Sequence, residues 1–202
     1  MLKVLGRRSS NNVQKVLWLL EELGVEFLQE DYGGPFGKTQ TSEYRTLNPN
    51  ATVPTMIDDS FSLWESNAIL RYLGAKHRSS LYPTTLQERA TIDQWLDWQL
   101  GTLGPTFRPL YLDIVRRGKS VRQVESNAKA ARDLFAQLDR ELGRHAYIAN
   151  GELTLADIAV GPMVYRWYQL GLAQPDTGNL RRLLQCLEKR PAFAKHVMVE
   201  LA

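Results

Sequence analysis

The opening thirty residues limit the fold more than any other stretch. Leu2 to Leu5 form a short apolar run closed by Gly6, and Arg7-Arg8-Ser9-Ser10-Asn11-Asn12 follows, rich in residues that favour helix starts. Val13, Val16, Leu17, Leu20 and Leu23 then recur at helical spacing, with Gly24 where a helix ends in a left-handed residue. Val25-Glu26-Phe27-Leu28-Gln29-Glu30 reads as a second strand. Strand, helix and strand within about thirty residues is the size of a βαβ unit, whose strands run parallel because a crossover helix joins them.

A Gly- and Pro-rich loop from Gly33 to Gly37, a weakly helical stretch to Leu47 and a turn at Asn48-Pro49-Asn50 come next. Val53-Pro54-Thr55-Met56-Ile57 reads as a strand interrupted by proline, with Phe61-Ser62-Leu63 as its hairpin partner across Asp58-Asp59-Ser60. Glu65 to Lys76 returns to helix, with Ala68, Ile69, Tyr72 and Leu73 on one face. The order β-α-β-α-β-β-α, with its first connector only weakly helical, predicts a small α/β layer around a mixed sheet.

After His77 the pattern changes. Residues 78–85 hold Ser79-Ser80, Pro83 and Thr84-Thr85 and read as a linker, dividing the chain into an α/β domain at 1–78 and a helical domain at 86–202. Ile92, Trp95, Leu96, Gln99 and Leu103 predict one long helix, with a break at Gly101 and Gly104-Pro105. Ala128, Ala131, Leu134, Leu138 and Leu142 predict the next. Thr154-Leu155-Ala156-Asp157 has capping-box spacing before an apolar run, and Pro162 inside that run should kink the helix at a cost of ~3 kcal/mol.

Composition narrows the classes. With 202 residues, 44% hydrophobic and 23% charged, the chain can bury a full core, which excludes disorder, collagen and fibre. The formal charge is +3, and the densest basic pairs, Arg7-Arg8, Arg116-Arg117 and Arg181-Arg182, are scattered; a solvated surface is expected rather than a nucleic-acid partner. Cys186 is the only cysteine, so intramolecular disulfides, zinc clusters and Cys-x-x-Cys pairs are excluded, and thiol chemistry must use a thiol that a ligand brings. Its setting in Leu183-Leu184-Gln185-Cys186-Leu187 predicts a core position. No apolar run approaches the ~20 residues of a membrane span and Met1-Leu2-Lys3-Val4-Leu5-Gly6 lacks a signal-peptide core, so no membrane partner and a reducing cytoplasm are expected.

Several segments together carry a resemblance. Ser9-Ser10-Asn11-Asn12-Val13-Gln14-Lys15-Val16 follows the first strand, Asn48-Pro49 precedes Val53-Pro54, and Trp64-Glu65-Ser66-Asn67-Ala68-Ile69 opens the next helix. Thr154-x-x-Asp157 and Arg190-Pro191-x-Phe193 lie in the helical half. In this order and spacing, the chain resembles the cytosolic glutathione transferase family over essentially its whole length, most closely bacterial members with a Ser/Asn-rich first turn. The resemblance implies a thioredoxin-like N-terminal domain that binds glutathione as co-substrate, an all-helical C-terminal domain forming the pocket for a small electrophile, no metal, and a homodimer.

It also implies roles that can be weighed physically. Free amides at the helix start beside Ser66 suit the γ-glutamyl carboxylate, and Glu65 can take the ammonium, although Glu and Ser are also common helix-start residues. Val53-Pro54 resembles the segment whose proline is cis and whose preceding backbone pairs with the cysteinyl part of glutathione. Lys38, Gln40 and Thr52 are candidates for the glycyl carboxylate, with a solvated loop lysine the rival reading of Lys38. Ser10 and Asn12 are the candidate donors to the glutathione sulfur, or else caps of the first helix. Stabilising a thiolate by two pKa units needs about 2.7 kcal/mol, within reach of one or two oriented donors. No Tyr precedes Tyr32 and Cys186 lies in the other half, which leaves tyrosine- and cysteine-type mechanisms out. Thr106, Phe107, Arg108 and Tyr111 are expected to line the electrophile pocket. Arg108 suits an anionic electrophile, the glycyl carboxylate or an ion pair across helices, and Trp167 and Tyr168 either add wall or belong to the core. The expected activity is conjugation of glutathione to a soluble electrophile; a glutathione-dependent disulfide reductase or peroxidase and a non-catalytic binding module stay open beside it.

Overall fold

The computed structural model describes residues 1–172 and 176–201. Ala202, the last residue of the expected second domain, lies outside them. Strand β1 (Leu2–Leu5) leads into α1 (Asn11–Glu22) and β2 (Phe27–Glu30), followed by α2 (Ser42–Leu47), β3 (Thr55–Asp58), β4 (Phe61–Trp64) and α3 (Ser66–Lys76). The sheet order is β2-β1-β3-β4. β1 pairs parallel with β2, Leu2 opposite Phe27, and antiparallel with β3, Val4 opposite Met56. The βαβ start is therefore as the spacing predicts, and Gly24 follows α1 at φ 63. The strand expected from Val53 begins two residues later, at Thr55, because Pro54 has no N–H for a ladder; the Val53–Pro54 bond is cis.

The helical half holds α4 (Leu86–Trp98), α5 (Gly104–Val115), α6 (Glu125–Leu142), α7 (Leu155–Gln169), α8 (Gly178–Glu188) and α9 (Pro191–His196). Where the sequence predicts a break at Gly101 and Gly104-Pro105, the chain stays helical through a π turn at Gln99–Leu103 and passes directly into α5. Pro105 sits in the first turn of α5, where its missing N–H costs little. A Cβ on Gly104 would lie 2.9 Å from the Gln99 carbonyl oxygen, so the handover from π turn to α-helix needs glycine there.

Helix α7 is the axis of the core. Every residue from Leu155 to Trp167 is buried, and the helix continues through Pro162 rather than ending at it. A Cβ on Gly161 would meet Leu187 at 3.0 Å and Trp18 at 3.1 Å, so this glycine sets how closely α7 approaches α1 and α8. Trp18 packs edge-on to Phe193 with centroids 4.9 Å apart, tying the α/β half to the C-terminal end of the chain. Glu22 accepts from Trp18 and from both forks of Arg190 at 2.6–2.8 Å across the same junction.

Cys186 differs from expectation, and Trp167 follows the core one of its two readings. Cys186 is half-buried, because Leu180, Leu183, Leu184 and Leu187 form the apolar stripe of α8 and leave Cys186 at its edge, beside Glu22, Lys189 and Arg190. Trp167 is core: it stacks on Phe135 at 4.6 Å and meets Phe107 at 6.1 Å. Among the described residues no helix is long and apolar enough to cross a membrane.

Candidate active site

The first turn of α1 faces the start of α5 across a cleft of about 440 Å³. Gly6 ends β1 with no room for a side chain: a Cβ there would lie 2.5 Å from Val13 and 3.2 Å from Val53. Ser10 is the N-cap of α1 with extended backbone, and its hydroxyl makes no capping bond. The first helix is thus entered without the Ser10 cap that was one reading of this residue, and Ser10 lines the cleft together with Asn12. Phe107, Arg108 and Tyr111 line the opposite wall. Thr106 does not: its hydroxyl donates to the Thr102 carbonyl at 3.0 Å, one turn back on its own helix. Tyr168 also lies elsewhere, donating to the Thr177 carbonyl at 3.2 Å.

The structure brings several unexpected residues to this cleft: Arg7, Asn11, Gln99, Arg116 and Arg166. Both polar atoms of the Asn11 side chain are buried without a partner among the described residues, whereas such groups in proteins are usually satisfied. The capping-rich run at 7–12 pointed to this turn, but not to which of its side chains turn inward.

A second group of expected residues sits beside the cleft rather than on its wall. Glu65 precedes α3 with φ 69, a backbone few non-glycine residues adopt, and its exposed side chain makes no capping bond. Strain at a position that does not cap its helix argues for another use of the side chain. Ser66 is the first residue of α3 and is 5% exposed. The Thr52 carbonyl is already taken by the Tyr44 hydroxyl at 2.6 Å and the Asn48 amide at 2.9 Å. Lys38 lies over the Tyr32 ring at 5.0 Å with φ 65, and Gln40 accepts from Arg45 at 2.5 Å; both belong to the exposed loop before α2, outside the cleft lining.

Lys15 joins the two groups. Its fully buried ammonium donates to Gln99 at 2.6 Å, Asn67 at 3.3 Å and Ser66 at 3.4 Å, linking the floor of the cleft to the start of α3. Burial pushes it down to about 7, with Glu65 pulling the other way. A lysine with a folded pKa below its unfolded value of about 10.4 holds fewer protons in the fold, so stability should rise as pH increases through that window. We expect the unfolding free energy to increase by about 2 kcal/mol from this group between pH 7 and 9. Lys15→Met should lose that increment in paired denaturant titrations, and an identical pH slope in both proteins would contradict it.

Known proteins match the chain in sequence and in fold. The family model described as glutathione S-transferase, N-terminal domain, matches residues 1–75, and that of the C-terminal domain matches residues 122–196. The chain is 36% identical to glutathione S-transferase GstB of Escherichia coli (strain K12) over 208 residues, covering all of both. Its fold superposes with a TM-score of 0.94 on the theta class glutathione S-transferase from Xanthomonas axonopodis pv. citri with glutathione bound, at 37% identity over 100% of this chain and 99% of that one. A delta-class glutathione transferase of Nilaparvata lugens gives 0.90 at 26% identity, covering 98% and 93%. With a four-stranded mixed sheet joined to a helical half and agreement along its whole length, the chain belongs to the glutathione S-transferase family.

Proposed function

We propose that the protein conjugates glutathione to a small electrophile, with bound thiolate attacking carbon in the cleft between α1 and α5. The observation that carries this reading is Ser10 at the N-cap of α1, which lines the open cleft and whose hydroxyl makes no capping bond to the helix. A donor there, at the positive end of a helix, stabilises a thiolate, while Asn12 supplies a second donor. The start of α3 takes the γ-glutamyl carboxylate through its amides and Ser66, and Glu65 takes the ammonium. The Val53 backbone beside cis-Pro54 pairs with the cysteinyl residue, and Lys38, Gln40 and Thr52 lie toward the glycyl end. Thr52 offers its hydroxyl there, since its carbonyl is occupied. Phe107, Arg108 and Tyr111 form the wall for the electrophile. The protein's part in the chemistry is thiolate stabilisation and proximity; on a halide the C–S bond forms as halide departs with its electron pair, and on an activated alkene the C–S bond forms as the neighbouring carbon takes a proton from water.

Detoxification in the cytoplasm fits an activity that turns reactive halides or alkenes into soluble thioethers. A homodimer fits Phe61 on edge strand β4 and Leu86 at the start of α4, large apolar side chains that are 46% and 81% exposed in the single chain. The experiment is a pair of steady-state assays, transfer to 1-chloro-2,4-dinitrobenzene and glutathione-dependent reduction of hydroxyethyl disulfide. We expect the first to dominate. Disulfide turnover with negligible transfer would make the protein a reductase, and neither activity alongside tight glutathione binding would make it a binding module.

A further inference from the structure

The cleft carries a charge pattern that the transferase reading alone does not require. Arg7, Arg108, Arg116 and Arg166 all line it, and no Asp or Glu does. None of the four makes an ion pair among the described residues. Arg7 and Arg166 are held in place by their surroundings, while Arg108 and Arg116 are exposed at the rim. The Arg7 side chain lies flat along Gly33 and Gly34, where an added Cβ would come within 3.2 Å of it at either glycine. Arg166 is 7% exposed, donates to the Ser9 carbonyl at 2.7 Å and to Gln14 at 3.2 Å, and stacks on Tyr111 at 4.6 Å. Burial and the nearby positive charges of Arg116 and Arg108 hold the Arg7 guanidinium below its usual pKa. Uncompensated like charges in a half-enclosed cleft are costly unless an anion completes them.

Resting on the transferase reading, we propose that the electrophile this site takes is an anion, a small molecule with a carboxylate or similar oxyanion attached to an apolar body that carries the leaving group. Phe107, Met163 and Pro105 supply apolar surface for the body. Arg7, Arg108 and Arg116 line the same cleft, near enough for their charges to act on one another, and supply the partners for the charged end, since a planar guanidinium pairs with a carboxylate through two parallel bonds. With a halogenated aromatic acid, the glutathione sulfur adds to the ring carbon bearing chlorine, the C–S bond forms, the C–Cl bond breaks and chloride leaves with its electron pair. No oxidant or further reactant is needed.

The test compares 4-chloro-3-nitrobenzoate with 4-chloro-3-nitrobenzamide, nearly equal in shape and different in charge, in the wild type and in Arg108→Gln/Arg116→Gln. Both arginines are exposed and free of ion pairs, so the double variant is expected to fold, as thermal melting checks. Each kcat/KM is divided by the uncatalysed rate with glutathione, and binding of the unreactive 3-nitrobenzoate and 3-nitrobenzamide is measured by calorimetry at fixed ionic strength. We expect the wild type to prefer the benzoate at least tenfold by both readouts, and the variant to lose most of that preference. Equal or weaker use and binding of the benzoate overturns the proposal. So does an unchanged preference in the variant accompanied by a tenfold rise in the KM for glutathione, which would assign these arginines to the glycyl carboxylate instead. Arginine-dependent 3-nitrobenzoate binding with no turnover of either halide supports the anion site and refutes the transferase reading, which separates the two.

Discussion

Glu65→Gly is expected to weaken glutathione binding by about 10- to 100-fold while leaving the melting temperature unchanged or slightly raised. The two halves of this result have separate causes. Glu65 sits at φ 69, and a side chain in that region costs roughly 1–3 kcal/mol that glycine does not incur. Its carboxylate makes no bond to the α3 amides, so the helix loses no cap when it is removed. What is lost is a charge-assisted partner for the glutathione ammonium, about 1.5–3 kcal/mol for such a bond. Glu65→Ala keeps the strain and loses the carboxylate, so it should show the binding defect without any gain in stability. Calorimetric titration with S-methylglutathione, paired with thermal melts, measures both. Unaltered affinity in Glu65→Gly would remove this residue from the site.

Asp157→Ala should produce the largest loss of stability from a single substitution, roughly 3 kcal/mol. The side chain is fully buried and accepts from the Ile148 amide at 2.9 Å, the Thr154 amide at 2.9 Å and the Thr154 hydroxyl at 3.2 Å. Burial pushes its carboxyl up to about 6 against the pull of those donors, so at pH 7 it is ionised and acceptor-only, which suits three donors. Truncation strands buried donors at about 1–3 kcal/mol each and opens the capping box of α7, the helix at the centre of the core. For a chain of this size the melting temperature should fall by about 6–12 °C. Asp157→Asn keeps one acceptor oxygen but turns an NH2 toward a donor, so its loss should be comparable rather than small. A shift below 2 °C for Asp157→Ala would mean that the loop at Ile148 finds other partners.

The capping box shows what a local pattern can convey. Thr154 and Asp157 meet across three residues, so the sequence contains the whole interaction, and the same holds for the α1 stripe and its terminal Gly24. Elements that depend on distant partners were less legible. Arg7 and Arg116 read as scattered surface pairs, and only the packing of α5 across the first turn of α1 makes them neighbours. Lys15 looks polar on a polar face until Gln99, brought in by the π turn, and Asn67 on α3 enclose it. The π turn itself had no signal beyond Gly101 and Gly104, which read equally well as a break. Cys186 failed for a geometric reason: four leucines already fill the α8 stripe, and a neighbour in sequence then falls at its edge. Within the site, Ser10 and Asn12 are candidates that the family resemblance supplies and that line the cleft, whereas the burial of Asn11 between them follows from backbone geometry that composition does not carry.

The central claim, that the first turn of α1 holds the glutathione sulfur as a thiolate, is tested most directly by ultraviolet absorbance of the thiolate. Glutathione would be titrated onto the wild type, Ser10→Ala and Asn12→Ala across pH 5 to 9. The wild type should show bound thiolate with a pKa about two units below that of a free thiol near 8.5, and Ser10→Ala should lose most of that shift, with a smaller loss in Asn12→Ala. A bound thiol titrating as it does in free solution, or a lowered pKa that survives both substitutions, would contradict the account.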